Sequence, residues 1–519
     1  MLLRRLANTC PACLPRGAVA APRFASTSAS SRPSSLPPPV IDLTDVLDYP
    51  QDVKANLEQR KYPLEPHAVD ELRTMEIEAI SLRKQLQAAR ERRNAASKAP
   101  KGDVEARKAG AEIKKLLKEL EPRLTQLERA IQTLALELPN ASHPHVPVGD
   151  ESNATLVSTL GPSIPSPPPA ARPELDHLDL SSPSNFAWTD FPSSSLTTGS
   201  SWPLLTNEAA LLELALTNYS MSIALAHGFT PVLTPDVVRS DVSERCGFRP
   251  RDAGEAQQTY FLSDGRGSAA GANDLCLAGT AEIPLVAMSA AQTFRQDELP
   301  LKYVALGRAF RAEAGARGAD SRGLYRVHQF SKVEMVVVCA EDESDRLLED
   351  LRKIQEEILG QLGLSLRVLD MPTEELGASA HRKYDIEAWM PGRGKWGELS
   401  SASNCTDYQA RRLGIRYRPT ARSPTARAPL ETLDLPTPAA LEATANYPSR
   451  FNTPGGGQPK LAYAHTLNGT AAAIPRLIVA LLENGAVLEA GGKVSRVRLP
   501  RVLRPFWIGD SASTRIEWA

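Results

Sequence analysis

Cysteine is scarce, with six in 519 residues at positions 10, 13, 246, 276, 339 and 405. They are too scattered to lay out the disulfide framework of a small secreted domain, so a reducing compartment is the default. Cys10 and Cys13 form a lone C-x-x-C with no second Cys or His pair at metal spacing, which argues against a zinc site. Net charge is almost absent too: a total of -1 says nothing for nucleic-acid binding, which has to be sought in local clusters. No run of about 18 apolar residues is present to cross a bilayer. With 42% hydrophobic residues and a mean hydropathy of -0.27, the chain reads as globular with no membrane partner. No internal repeat is evident, which sets solenoids aside.

Acidic residues are missing from the N-terminus until Asp42, while Arg4, Arg5, Arg16, Arg23 and Arg32 stand among Ser, Ala and Pro. Residues 1–38 therefore have the composition of a mitochondrial transit peptide, disordered and addressed to the matrix; a Ser/Pro-rich tail with no address is the alternative. The length favours two or more domains. From Leu72 apolar or small residues step through Met75, Ala79, Leu82, Leu86, Ala89 and Ala96, with one fault at Arg93. A second run, Ile113, Leu117, Leu120, Leu124, Leu127, Ile131, Leu134 and Leu138, alternates four and three without fault, as a coiled-coil seam does. Ala99-Pro100-Lys101-Gly102 between them suits a reversal, so residues 39–150 are expected to form an antiparallel helical arm roughly 45 to 50 Å long. Pro122 predicts a kink or frayed turn.

Across residues 81–118 twelve Lys and Arg face four acids, a local net of +8. Such a face is commonly only solvated surface, but on a projecting hairpin in a neutral protein it points to phosphate-backbone binding. The residues expected to carry it are Arg83, Arg90, Arg93, Lys98, Lys101 and Arg107. Residues 151–192 read as a Pro/Ser-rich linker, and 193–519 as an α+β domain around a sheet, with Lys302–Leu306 and Glu334–Val338 as strands. A low-complexity stretch, 419–458, is expected to loop out of it.

One segment has a composition that burial does not require. From Phe310 to Glu334 it reads as a strand, a loop rich in glycine and arginine, and a second strand, with Arg311, Glu313, Phe330 and Glu334 on the flanking strands. Arginines 311, 317, 322 and 326 offer planar charged forks, and glycines 315, 318 and 323 let the backbone bend around a ligand. A polyphosphate suits that set.

This stretch resembles motif 2 of class II aminoacyl-tRNA synthetases, and its form F-R-x-E-A-G … R-G-L-x-R-V-H-Q-F-x-K-V-E is similar to the seryl-tRNA synthetase branch. Gly228–Pro235 resembles motif 1 and His465–Leu477 motif 3, in the right order. Gly279-Thr-Ala-Glu282 and Glu398–Asp407 resemble the serine-pocket strand and the metal- and ATP-binding strand of that family. The resemblance covers about residue 42 to Pro505 and leaves out the presequence and the 419–458 insertion. It implies a class II catalytic domain with an antiparallel sheet of six or seven strands flanked by helices, a preceding coiled-coil arm that binds tRNA, and a homodimer built through motif 1.

The activity it implies is serine–tRNA ligation: L-serine and ATP give seryl-adenylate and pyrophosphate, and the seryl group passes to tRNA(Ser) for mitochondrial translation, with Mg²⁺ as cofactor. By the same resemblance serine is held by Thr280, Ala281, Glu282, Arg311, Glu334, Asn468 and Thr470. ATP would meet Arg311, Ala312, Glu313, Val327, His328, Gln329, Phe330, Glu398, Leu399, Ser400, Ser401 and Arg476, with Glu398 and Ser401 on the metal. Arg311 would hold the α-phosphate and the serine carboxylate, Arg476 the γ-phosphate, and Phe330 would stack on adenine; taken alone, such a phenylalanine belongs more often to a core. Two rivals stay open, an amino acid:carrier-protein ligase, which would lack the basic arm, and an inactive paralogue, which would have lost some of Arg311, Glu313, Glu334, Glu398 and Arg476.

Overall fold

The structure, a computed structural model, describes residues 36–97, 104–182, 184–248, 258–262, 275–313, 323–420, 461–489, 494–510 and 515–519. The transit-peptide reading (but for its last three residues), Lys98, Lys101, the motif 2 tip and nearly all of the 419–458 insertion lie outside these.

Two long helices build the arm, α1 (His67–Ala96) and α2 (Val104–Glu137). At about 1.5 Å per residue, their 30 and 34 residues make a hairpin of about 45 to 50 Å. All eight residues of the second seam lie in two clusters with Leu72, Met75, Ala79, Leu82, Leu86 and Ala89 of α1. Knobs repeating every 3.5 residues keep that stripe facing its partner along the whole pair. The expected frayed turn is absent: α2 runs through Pro122. Proline removes one backbone donor, and the packed leucines at 120 and 124 hold the flanking turns across the gap.

The second body is a sheet. Its strands are β1 (Thr155–Leu160), β2 (Thr230–Leu233), β3 (Leu301–Phe310), β4 (Gln329–Cys339), β5 (Leu366–Asp370), β6 (Arg382–Met390), β7 (Lys395–Asn404) and β8 (His465–Ala473), in the order β1-β5-β6-β7-β8-β4-β3-β2. There are eight strands rather than the six or seven expected. All neighbours pair antiparallel except β2 and β3, which are parallel. The stretch read as a linker supplies edge strand β1, and Leu180, Phe186 and Trp188 from it enter the main core. Its Pro and Ser content hid a six-residue edge strand whose side chains are half exposed, which leaves little hydrophobic signal.

Period-two alternation gives the sheet two chemical faces. Val333, Met335 and Val337 of β4 turn to a core shared with three helices: α3 (Asn207–Ala226), through Leu212, Leu216 and Tyr219; α5 (Ser344–Gly360), through Leu347 and Leu351; and α7 (Ile474–Gly485), through Leu477 and Ile478. By length and composition α3 would suffice to cross a membrane; here half of it is buried in that core. Lys332 and Glu334 alternate to the other face, toward the short helix α4 (Glu282–Ala287).

The arm is tied to the sheet domain at its root. Arg60, 1% exposed, donates to the carbonyls of Asn140, Gly377 (2.9 Å) and Ala380 (2.7 Å). Asn140 in turn donates to the carbonyls of Ser379 and Cys405, both at 2.9 Å. The folded chain also reaches further back than residue 39, because the Pro37 carbonyl accepts from Arg245 at 2.6 Å.

Candidate active site

On β4, Glu334 is buried against Lys332, with Nζ 2.6 Å from Oε2, and Thr470 of β8 donates to the same oxygen at 3.4 Å. Glu282 opens α4, where its Oε1 accepts from Asn468 Nδ2 at 3.0 Å and from Gln409 Nε2 at 2.7 Å. Its backbone N–H donates to Thr280 Oγ1 at 3.3 Å. Burial, and then the Glu334 charge, push the Glu282 carboxyl up to about 7. The turn packs on β3 through Gly307, where a Cβ would come within 2.7 Å of the Ala281 methyl. Thr280, Ala281, Glu282, Glu334, Asn468 and Thr470 are thus gathered into one small acidic cup.

Beside it stands a basic wall. Arg311 follows the last residue of β3 rather than lying on it, and its guanidinium sits 5.2 Å above the ring centre of half-buried Phe330. Glu313, also past the strand, has a left-handed backbone (φ 47°) and accepts from Arg326 at 3.2 Å. Arg476 of α7 donates to the Glu398 carbonyl at 3.0 Å and carboxylate at 3.2 Å. Burial would raise Glu398, but Arg476 and then Lys383 outweigh it and hold the carboxyl at about 2. Arg311 feels the charges of Glu313, Arg476, Glu398 and Glu334, which makes these five side chains one electrostatic unit.

Several residues of the expected ATP set take other positions. Leu399 lies in the main core, and the Ser400 hydroxyl is spent on the Thr470 carbonyl, so these two can offer a nucleotide only backbone. Val327 is buried. The His328 ring stacks on Trp202 with centres 5.5 Å apart and meets the Tyr260 hydroxyl at 2.9 Å. Ala312 and Gln329 are half-buried at the strand ends. Among the described residues no group of three or more His, Cys, Asp or Glu could hold a metal by itself. Glu398 and Ser401 could supply two hard oxygens, which suits a cation whose other ligands are phosphates and water.

Along the arm, Arg83 bridges Glu76 (2.8 Å) and Glu128 (3.0 Å), and Arg90 bridges Glu121 (3.0 Å). These two tie the helices together, while Arg93 and Arg107 stand exposed nearer the tip. Reading the motifs missed Lys332, Gln409 and Arg60. Lys332 could have been found from its period-two spacing with Phe330 and Glu334; Gln409 and Arg60 carry no local signal, since their side-chain hydrogen-bond partners are 57 or more and 80 or more residues away.

Residues 40–142 match the family described as the seryl-tRNA synthetase N-terminal domain, and residues 267–427 the tRNA synthetase class II core domain (G, H, P, S and T). The chain is similar to the serine–tRNA ligase of Treponema denticola, 39% identical over 73% of this chain and 77% of that one. It is also similar to the mitochondrial serine–tRNA ligase of Schizosaccharomyces pombe, 38% identical over 72% and 68%. Among solved structures it resembles seryl-tRNA synthetase from Pyrococcus horikoshii complexed with ATP, with a TM-score of 0.73, 32% identity and coverage of 90% of this chain and 98% of that one.

Proposed function

Because the chain belongs to the seryl-tRNA synthetase family of class II aminoacyl-tRNA synthetases, we propose that it activates L-serine with ATP and loads it onto tRNA(Ser) in the mitochondrial matrix. The observation that carries the reading is the acidic cup of Glu282 and Glu334 set against Arg311 and Arg476 on one face of the sheet. An amino acid presents the complementary pair, an ammonium for the cup and a carboxylate for the wall.

In the first step a serine carboxylate oxygen attacks the α-phosphorus of ATP in line, seryl-adenylate forms and pyrophosphate leaves. Arg311 stabilises the charge that builds on the α-phosphate, Arg476 holds the γ-phosphate, and Phe330 stacks on adenine. Glu398 and Ser401 would hold Mg²⁺, which when bound would neutralise phosphate charge. In the second step a ribose hydroxyl of the tRNA's terminal adenosine attacks the seryl carbonyl and AMP leaves; positioning does the work, with no side-chain nucleophile. The serine hydroxyl pairs with Glu334 and Thr470, so alanine leaves those groups unpaired and is rejected, on the order of 10⁴-fold at sites of this logic.

Arg93 and Arg107 on the arm, with Lys98 and Lys101 between them in the sequence, bind tRNA phosphates. The acid-free, arginine-bearing N-terminus and the similarity to mitochondrial ligases of two yeasts support the matrix. A homodimer covers edge strand β2, where Leu233 is 95% exposed; Leu214 and Leu225 of α3 are exposed too. The test is serine-dependent ATP–pyrophosphate exchange with threonine, alanine and glycine as competitors, followed by aminoacylation of mitochondrial tRNA. Serine-specific exchange with charging is the expected result. Exchange without charging would point to a carrier-protein ligase, and a folded protein with neither would be an inactive paralogue.

A further inference from the structure

Glu282 is oriented by neighbours that carry no charge. Gln409, on the short helix α6 (Tyr408–Leu413) and 1% exposed, donates from Nε2 to Glu282 Oε1 at 2.7 Å and to the Cys246 carbonyl at 2.9 Å. Its own Oε1 accepts the Thr466 hydroxyl at 2.7 Å. This amide has one workable orientation. The Cys246 oxygen can only accept, as can an ionised Glu282, so nitrogen must lie between them, and the amide oxygen meets the one hydroxyl able to donate. Asn468 gives the same Oε1 a second N–H at 3.0 Å. Oε1 is thereby occupied twice, while Oε2 has no hydrogen bond among the described residues.

We propose that Gln409 is a positioning residue for amino-acid recognition, holding Glu282 through Oε1 so that Oε2 is presented to the ammonium of the amino acid. The inference rests on the reading of Glu282 as part of the serine cup, and it reaches a side chain that none of the motifs mark.

The surroundings of Glu282 make such support necessary. Facing it are Glu334 and Lys332 of β4, Asn468 of β8, and the buried thiols of Cys246 and Cys405. Burial and then Glu334 favour its neutral acid, and against them stand Gln409, Lys332 and Asn468. Without the Gln409 donor the acid form extends further into the neutral range, and a neutral carboxyl gives up its charge attraction to an ammonium. Thr466 acts one step further out: without its hydroxyl the buried amide oxygen has no donor, and the orientation rests on the Cys246 carbonyl and Glu282 alone.

The measurement is serine-dependent ATP–pyrophosphate exchange by the full chain between about pH 6 and 9, taking KM for serine, KM for ATP and kcat for the wild type, Gln409→Met and Thr466→Val. Gln409→Met is expected to raise KM for serine about tenfold to a hundredfold, as loss of a hydrogen bond to a charged group does, with KM for ATP within about twofold. The acid limb of kcat/KM for serine should move to higher pH, and Thr466→Val should shift it less in the same direction. An unmoved acid limb and unchanged serine KM overturn the proposal, as does an equal change in both KM values, which would mark general damage. If Gln409→Met does not fold, the Thr466→Val profile decides by the same criteria. Absence of exchange in the wild type would sink the serine-activation reading itself, not the role of Gln409 within it.

Discussion

Two carboxylates in the site are displaced in opposite directions, and the sign of each can be tested. Glu282, pushed up to about 7 by burial and then by Glu334, binds a proton in the folded chain that an ordinary glutamate releases near pH 4.5. The folded state therefore holds more protons between those values, and stability falls as pH rises through that window. Glu398, held at about 2 against burial by Arg476 and Lys383, contributes stability above the ordinary glutamate value that is lost as pH drops toward 2. Glu282→Gln removes the first effect alone. Thermal melts of this variant should gain on the wild type from pH 5 to pH 8, by no more than about 3 kcal/mol. A stability difference that stays flat across that range would mean Glu282 is not displaced. The motifs place both residues in the site, but displacement depends on Glu334 and Arg476, which no local spacing connects to them.

At the scale of elements, the arm and the sheet divide the labour. The hairpin is held by its leucine seam and by Arg83 and Arg90, which cross from one helix to the other. Leu86 lies in the distal cluster with Leu82, Ala89, Leu117 and Leu120. Leu86→Asp places an unpaired carboxylate there, a change that costs several kcal/mol and should melt the outer arm. The sheet domain has its own core, so serine-dependent exchange should stay within about twofold while tRNA charging collapses, with circular dichroism reporting the lost helix. Exchange lost in proportion to helix would show instead that the arm supports the catalytic core. The seam was legible because a 3.5-residue repeat kept over eight positions is the pattern of paired helices and of little else. Edge strand β1 was not, because six half-exposed residues between prolines carry almost no pattern.

For the molecule as a whole, the β2 edge is the surface that a second copy would cover. Leu233 is almost fully exposed on the last residue of that strand, with Leu214 and Leu225 on α3. An unpaired strand carrying leucine invites pairing with another chain. Leu233→Asp is expected to turn the proposed homodimer into a monomer in sedimentation experiments, with the melting profile of the sheet domain retained. A wild-type chain that sediments as a monomer at micromolar concentration would remove the dimer from the proposal.

Along the chain itself stood what depends on local order: the two helices and their seam, the basic distal arm, and the motif residues that the sheet later brings together. Their legibility has a physical cause, since helix periodicity and strand–loop–strand motifs are written over consecutive residues. Folding alone decided the rest. It placed Lys332 on Glu334, Gln409 between Cys246 and Glu282, and Arg60 on the carbonyls at the root of the arm. It also turned Leu399 and Ser400 away from the cleft and gave the stretch that reads as a linker to the sheet. Each of these depends on which distant residue becomes a neighbour, and with it on desolvation and on the one remaining partner for a buried polar atom, quantities that exist only once the strands have paired.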